Sequence, residues 1–482
     1  MTALVIAFLS FSPWRLSPLS ALAATAGVLL VFRPSMVIEP GYQLSVTATA
    51  GIVLFLRFRP NALGPPDLVE PEPEPRIQRW RRQLLTFVGL SCSATIATWP
   101  ILLRMTGELP LAGLWTNLWV TPLVSTILFP LLVAGALASL ICPPVAELLL
   151  YLATQGLLGI RSVLDVVAYA PGSVIRWGTP HPIEFVGLFV AVAIAVVGGL
   201  RNRAMITALL TALLVATPAV VVDIFAGPTT RIDFIYVGQG DATLIEFSDG
   251  TTVLIDGGGQ PVGADPGLRQ VVPYLRHRGI RRLDAVVLTH GDYDHYGGLF
   301  ATIRPFRPRR FYFDSDEDNR RVRQLRAAMK DAGTKLEPVT GRAIIATDDV
   351  DLHLYRPDLS QANANDRSLI TSFSYAGAGV VLPGDLEAEG EEWLVDHLPG
   401  PSALLKAPHH GSNTSSTPRI LDHLRPAVAV ASAGRHNRFG HPHPQVVERY
   451  DSRAIDLFRT DQQGAIVVTI DDAGVLRVET TR

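Results

Sequence analysis

The chain has 482 residues, a net charge of −2 and only 18% charged side chains, against about 25% in an average globular protein. Two cysteines exclude a disulfide scaffold, and the near-neutral balance excludes a generally basic nucleic-acid binder. The average conceals a division near residue 227. Residues 1–226 carry 10 acids and 13 bases, net +3; residues 227–482 carry 34 acids, 29 bases and 11 of the 12 histidines, net −5. One uniform soluble fold is thereby excluded. The domains expected are a polytopic membrane region, 1–226, and a histidine-bearing soluble domain, 227–482.

A helix needs about 20 apolar residues to cross a bilayer, because hydrocarbon offers no partner to an exposed backbone group. Residues 16–32, 40–56 and 83–103 are charge-free runs of nearly that length or more. Residues 109–146 are uncharged and suffice for one tilted span or two short ones; 185–200 and 204–222 read as a hairpin turning at Arg201-Asn202-Arg203. Residues 145–170, with Glu147, Arg161 and Asp165, either supply a further crossing or lie along the interface. The six prolines of 60–75 read as an extended linker that continues to residue 82. Arg76, Arg79, Arg81 and Arg82 join Arg57 and Arg59 in the strongest basic cluster of this half. The positive-inside rule puts that cluster, with Arg201 and Arg203, in the cytoplasm. The run 204–222 then leads outward, and residues from 227 onward face the exterior of the cell membrane.

From Arg231 short strands and helices alternate. Strands are expected at 231–237, 242–247, 251–255, 283–289, 310–313, 350–355, 368–374, 379–382, 427–431 and 465–470. Helices are expected at 267–279, 318–332, 386–397, 415–424 and 444–451. That order indicates a mixed α/β domain with helix-covered sheets. Its chemistry falls at strand ends. In His290-Gly291-Asp292-Tyr293-Asp294-His295-Tyr296-Gly297-Gly298, four metal-capable side chains occupy six residues directly after a buried strand. His290 and Asp292 can serve one metal; Asp294 and His295 can serve a second.

This run resembles the HxHxDH motif of the metallo-β-lactamase superfamily, with Asp292 in place of the second histidine. The HxDxDH variant is similar to that of the ComEC family of DNA-uptake channels. Tyr236-Val237-Gly238-Gln239-Gly240-Asp241-Ala242, Asn365-Asp366-Arg367-Ser368-Leu369 and Leu382-Pro383-Gly384-Asp385 also resemble elements of that family. So do Leu405-Lys406-Ala407-Pro408-His409-His410-Gly411-Ser412 and Arg435-His436-Asn437-Arg438-Phe439-Gly440-His441-Pro442. Gly41-Tyr42-Gln43-Leu44-Ser45 looks like a run near the end of the family's channel domain. The resemblance covers about residues 16–58 and 230–475. It implies an αββα metallo-β-lactamase-like fold for residues 227–482 and a partial channel domain for 1–226. Family members begin with further membrane helices and an OB-like domain, so the run at residue 41 implies either a start placed too late or a shortened or split relative.

Two metals can clamp a phosphodiester and activate water against it. His290 and Asp292 are assigned to one metal. Asp294, His295 and one of His409 and His410 go to the other, with His409 the first choice and His410 the alternative. Asp385 is the expected bridge. Asn365 offers an amide oxygen that either ligates or orients a water. Asp256 is read as a carboxylate behind the ligands, the competing reading being a turn cap. His441 either serves the developing phosphorane and the leaving oxygen or caps a loop before Pro442. The catalytic group is thus Asp294, His441 and Asp256, and Ser368, Lys406, Arg435 and Arg438 are candidate substrate contacts. Arg304, Arg307, Arg309 and Arg310 are a second candidate path for DNA, a solvated rim being the default. Oxygen-rich ligands favour two Mn²⁺ ions, with Zn²⁺ the alternative. The implied function is cleavage of the non-transported strand during DNA uptake, with incoming or single-stranded DNA, the lipid bilayer and other uptake proteins (a receptor, a helicase) as partners. A catalytically silent hydrolase domain and an extracytoplasmic phosphodiesterase are the alternatives.

Overall fold

Proline and glycine set the helix boundaries of the N-terminal part. The computed structural model describes residues 17–58, 75–168, 170, 172–176, 182–197, 228–259, 265–359, 362–435 and 437–482. The chain divides into two units, Met1–Val222 and Asp223–Arg482.

In the first unit, α1 (Pro18–Phe32) opens with proline at its first position and the Ser17 hydroxyl accepting from the Ser20 amide. Its 15 residues reach about 22 Å at 1.5 Å per residue, short of the roughly 30 Å hydrocarbon core. The expected span at 16–32 is therefore too short to cross unaided. Next come α2 (Pro40–Phe58), α3 (Arg76–Thr106), strand β1 (Glu108–Pro110) and α4 (Gly113–Ala138). Helix α5 (Pro143–Ala168), strand β2 (Val174–Arg176) and α6 (Pro182–Val197) complete the unit. Among the described residues three helices are long and apolar enough to cross a membrane: Arg76–Thr106, Gly113–Ala138 and Pro143–Val167. The run 109–146 thus supplies one long helix, with a widened turn at Val124–Leu128 just after Pro122. Residues 76–82, expected within the linker, are the first turns of α3. The rest of the linker, 60–74, and the predicted helix 204–222 lie outside the described residues. Strands β1 and β2 pair antiparallel, Leu109 opposite Ile175, so the C-terminal ends of α3 and α5 lie on the same side.

The second unit holds two sheets. In the first, β3 (Thr229–Phe234), β4 (Thr243–Glu246) and β5 (Thr252–Ile255) run antiparallel; β6 (Ala285–Val287), β7 (Arg310–Asp314) and β8 (Lys335–Val339) continue it in parallel. In the second, β9 (Arg342–Ala346), β10 (Asp351–Tyr355), β11 (Ile370–Tyr375) and β12 (Ala378–Leu382) are antiparallel. Strands β13 (Leu404–Lys406), β14 (Val428–Ala431) and β15 (Asp456–Arg459) extend it in parallel. The chain returns through β16 (Ile466–Asp471), which pairs with β3, and β17 (Leu476–Thr480) forms the outer edge.

Strand side chains alternate between faces, and both faces are covered. Ile245 points to the core between the sheets, with Phe234, Val253, Leu354, Val380 and Val468. Its neighbour Leu244 points outward to Leu275, Leu299, Phe306 and Leu325. Those residues come from, or adjoin, α7 (Val272–His277), α8 (Tyr293–Tyr296), α9 (Leu299–Phe306) and α10 (Arg320–Asp331). On the second sheet Val381, Leu405 and Ala429 pack against Leu394, Leu421 and Tyr450. These belong to α11 (Ala388–His397), α12 (Pro418–Leu424) and α13 (Pro444–Asp451). The order is helix, sheet, sheet, helix, the αββα sandwich expected. Each fully buried Leu, Ile or Phe contributes roughly 1.5–3 kcal/mol, so three such cores hold the strand ends firmly in place.

Candidate metal centre

Ligands of open α/β sheets collect at the carboxyl ends of parallel strands. Here Asp256 follows β5, His290 follows β6, Asp385 follows β12, and His409 and His410 follow β13. Both sheets therefore contribute to one cluster. Two glycines make room for it. A Cβ at Gly240, with φ +123°, would lie 2.3 Å from the Asp294 carbonyl oxygen, and one at Gly384, with φ +62°, would lie 2.7 Å from Ser368 Cβ.

Asp385 is the hub. Its Oδ2 lies 3.1 Å from His295 Nε2 and 3.2 Å from His410 Nε2. His410 Nε2 is also 3.4 Å from Asp294 Oδ2. The far nitrogens of both rings are committed. His295 Nδ1 donates to Asp256 Oδ2 at 2.8 Å, and His410 Nδ1 donates to the Ser432 carbonyl at 3.0 Å. The Nε2 atoms of His295 and His410 therefore face Asp385, and Asp294 joins them through His410. Beside them His290 packs on His295, ring centroids 4.1 Å apart, with its Nε2 3.7 Å from Asp292 Oδ2. Its Nδ1 lies 3.1 Å from Thr289 Oγ1 and 3.3 Å from Ser368 Oγ.

Asp256 sits behind His295 with φ +58°. It accepts from the Thr289 amide at 2.9 Å and the Thr289 hydroxyl at 2.7 Å as well as from the imidazole. His409 and His410 both have left-handed backbones, φ +46° and +56°, a conformation that costs a non-glycine residue about 1–2 kcal/mol. The loop is held regardless. Ser415 Oγ donates to the Pro408 carbonyl at 2.7 Å, and Glu391 accepts from the amides of Ser416 and Thr417 at 2.5 and 2.8 Å. Arg449 donates to the Ser415 carbonyl at 2.8 Å.

Charge and burial shape the ionisation of this cluster. Burial alone would lower His410, but Asp385 and Asp241 outweigh it and push the imidazole up to about 10. His295 is raised in the same way, against burial, by Asp385 and Asp256. Burial would raise Asp385 and Asp294; the facing imidazoles instead hold both carboxyls well below the usual range. His441 is lowered to about 4 by burial and by His410 and His409. Such an array of buried carboxylates is costly without compensating cations. His290 Nε2, His410 Nε2 and Asp385 Oδ1 have no hydrogen-bond partner of good geometry. Imidazole and carboxylate donors that converge unpartnered fit divalent cations.

Four sequence-based expectations change. His410, not the first choice His409, reaches Asp385 and Asp294; His409 Nδ1 lies 3.1 Å from Glu387 Oε1. Asn365 is turned away as well, its amide nitrogen donating to Glu387 at 3.3 Å. Ser368, expected at the substrate, is fully buried and accepts from the Asp385 amide at 3.2 Å. Lys406, also expected to meet substrate, is buried beneath the cluster with Nζ 2.5 Å from Asp241 Oδ2. Asp241 itself was missed. One donor atom from each of Asp241, His295, Asp385 and His410 lies within 4.8 Å of the others. Asp241 faces the committed Nδ1 atoms, 3.7 Å from His410 and 4.0 Å from His295. Its place in the Gly238-Gln239-Gly240-Asp241 turn was the available signal. At the rim, His441 stacks on Phe439 at 5.7 Å and lies 5.7 Å from His409. Arg438 caps the Phe439 ring, and exposed Arg435 donates to the Asp461 carbonyl at 3.4 Å.

Residues 1–202 match the family model described as competence protein, and residues 235–435 match that of the metallo-beta-lactamase superfamily. The chain is similar to ComE operon protein 3 of Bacillus subtilis, 25% identical over 95% of this chain and 59% of that one. It is also similar to competence protein ComA of Neisseria gonorrhoeae, 28% identical over 96% of this chain and 60% of that one. Recombination protein 2 of Haemophilus influenzae is 30% identical over 46% of this chain and 26% of its own length. The chain thus spans about 60% of the length of the first two relatives. Among solved structures it resembles the metallo-beta-lactamase fold protein YhfI from Bacillus subtilis, at 12% identity and TM-score 0.35 over 52% of this chain and all of that one. It also resembles a diphosphatase from the PhnP family, at 16% identity and TM-score 0.32 over 48% of this chain and 94% of that one.

Proposed function

We propose that this chain, which joins a competence-protein region to a metallo-β-lactamase-superfamily domain, cleaves DNA phosphodiester bonds at the outer face of the cell membrane during DNA uptake. The strand cleaved is the one that is not transported. The observation that carries this reading is that His295 and His410 both meet Asp385, with Asp294 at His410 and the His290–Asp292 pair alongside. Those six residues would hold two divalent cations, and Mn²⁺ suits the oxygen-rich set better than Zn²⁺. When bound, such cations supply Lewis acidity toward a phosphoryl oxygen and an acidified water.

The protein's own groups have distinct tasks. Asp256 and the Ser432 carbonyl fix the His295 and His410 rings so that Nε2 points inward. Ser368 and Thr289 do the same for His290. His441, held neutral at pH 7 by burial and neighbouring imidazoles, stands at the rim, where it can donate a hydrogen bond to a phosphate oxygen. Arg438 and Arg435 lie on the same rim, available to the flanking phosphates.

The helical unit supports the proposed orientation. The β1–β2 pairing sets Glu108–Pro110 and Val174–Arg176, and with them the C-terminal ends of α3 and α5, on one side. The starts of α3 and the end of α6 then fall on the other, with Arg76, Arg79, Arg81 and Arg82. With that basic cluster and Arg201 and Arg203 cytoplasmic, the charge pattern of the sequence supports an outward-facing hydrolase domain. The test uses the full chain in detergent with a fluorescent single-stranded oligonucleotide. Mn²⁺-dependent cleavage that disappears in Asp294→Ala supports the reading. Tight Mn²⁺ binding without cleavage would replace it with a silent docking domain, and preference for a small phosphodiester would replace DNA as substrate.

A further inference from the structure

Lys406 ends β13 and is 3% exposed; lysines are almost never fully buried unless paired. Its Nζ lies 2.5 Å from Asp241 Oδ2, donates to the Gly384 carbonyl at 2.9 Å, and stands 3.6 Å from Asp385 Oδ1. That last oxygen has no hydrogen-bond partner, while its twin faces the two Nε2 atoms. The ammonium thus touches two carboxylates of the cluster, on the Asp385 oxygen that the two Nε2 atoms leave free. It pins the Gly384 turn that presents Asp385, and it pairs with Asp241, which lies nearest the Nδ1 atoms of His410 and His295.

The charges can be counted. Asp241, Asp256, Asp292, Asp294 and Asp385 bring five negative charges, and two divalent cations bring four positive ones. Lys406 brings the fifth. We propose that Lys406 is an internal counter-cation: a positioning residue that neutralises Asp241, steers Asp385, restrains the affinity of the centre for metal and frees the fold from dependence on metal. The inference rests on the metal-centre reading above.

The counter-cation role and a merely structural role predict opposite signs. With the full chain in detergent, Mn²⁺ is titrated calorimetrically, and thermal unfolding of the domain is followed with EDTA and with Mn²⁺. In Lys406→Met the pocket gains a net negative charge. The Mn²⁺ dissociation constant should fall at least about tenfold, since a unit charge a few ångströms from a dication is worth that much even at an effective dielectric of 20. The metal-free melting midpoint should drop, and the Mn²⁺-induced rise should exceed that of the wild type. Removing both charges, in Asp241→Asn with Lys406→Met, should return affinity to within about threefold of wild type and restore the metal-free midpoint. If Lys406→Met does not fold, this double variant carries the test by itself. Equal or weaker Mn²⁺ binding in Lys406→Met, or a double variant that fails to recover, overturns the proposal. A wild-type chain that takes up neither Mn²⁺ nor Zn²⁺ would instead overturn the metal-centre reading, and the counter-cation with it.

Discussion

Replacing Asp256 with asparagine tests whether the centre depends on groups that never meet the metal. The carboxylate accepts from three donors at once: His295 Nδ1 at 2.8 Å, the Thr289 hydroxyl at 2.7 Å and the Thr289 amide at 2.9 Å. Asparagine keeps the shape but turns one acceptor into an N–H₂ donor. One of the three donors must then face another donor in a site that is 1% exposed. An unsatisfied buried polar pair costs about 1–3 kcal/mol, which lowers the melting midpoint by roughly 2–10 °C in a domain of this size. If the amide faces His295, the tautomer with Nδ1–H loses its acceptor, and Nε2 is no longer held ready. Loss of such a supporting partner typically weakens metal binding about 10- to 100-fold, or about 1.4–2.8 kcal/mol. Calorimetric Mn²⁺ titration and thermal unfolding in EDTA separate the two effects. Metal affinity within threefold of wild type, with an unchanged midpoint, would refute the role assigned to Asp256.

The histidine pair gives a second contrast. His410→Ala should reduce Mn²⁺ affinity by about 100-fold or more, since it removes the ring between Asp294 and Asp385, while His409→Ala should change it less than about tenfold; calorimetry reads both. The third prediction concerns pH. Burial pushes Glu391 up to about 7 from 4.5, although the Ser416 and Thr417 amides donate to it. Between those values the folded chain keeps a proton that the unfolded chain has released. Stability should therefore fall as pH rises through that window, by at most about 3 kcal/mol, and level off above it. Glu391→Gln should remove this component of the slope in denaturant unfolding at pH 5, 6 and 8 with EDTA; an unaltered slope refutes it.

The long apolar strands and the HGDYDH run were legible because burial on two faces forces continuous apolar runs and because metal ligands crowd at a strand end. Strands β8, β9, β15 and β17 were not. Lys335, Glu337, Arg342, Asp456, Arg459, Arg477 and Glu479 interrupt them, and pairing to a neighbour, more than intrinsic propensity, makes them strands. The three residues of β13 gave too short a pattern to reveal that Lys406 points inward. The ordinary preference of lysine for water suggested the surface instead. His409 and His410 are adjacent in sequence, and only the pair of left-handed backbone angles decides which ring enters the cluster. Asp241 looked like one more polar residue in a glycine turn, because the groups it meets lie 54, 144, 165 and 169 positions further along.

Strand β16 lies between β3 and β17, so the first strand of the domain finds one of its two neighbours only among the last residues of the chain. Half of the cation cradle, moreover, comes from residues near 290 and half from residues near 400. The cradle therefore cannot close before the chain has left the ribosome past His410. A nascent or clipped chain would hold the sequence motif without the cavity that gives it power over a phosphodiester.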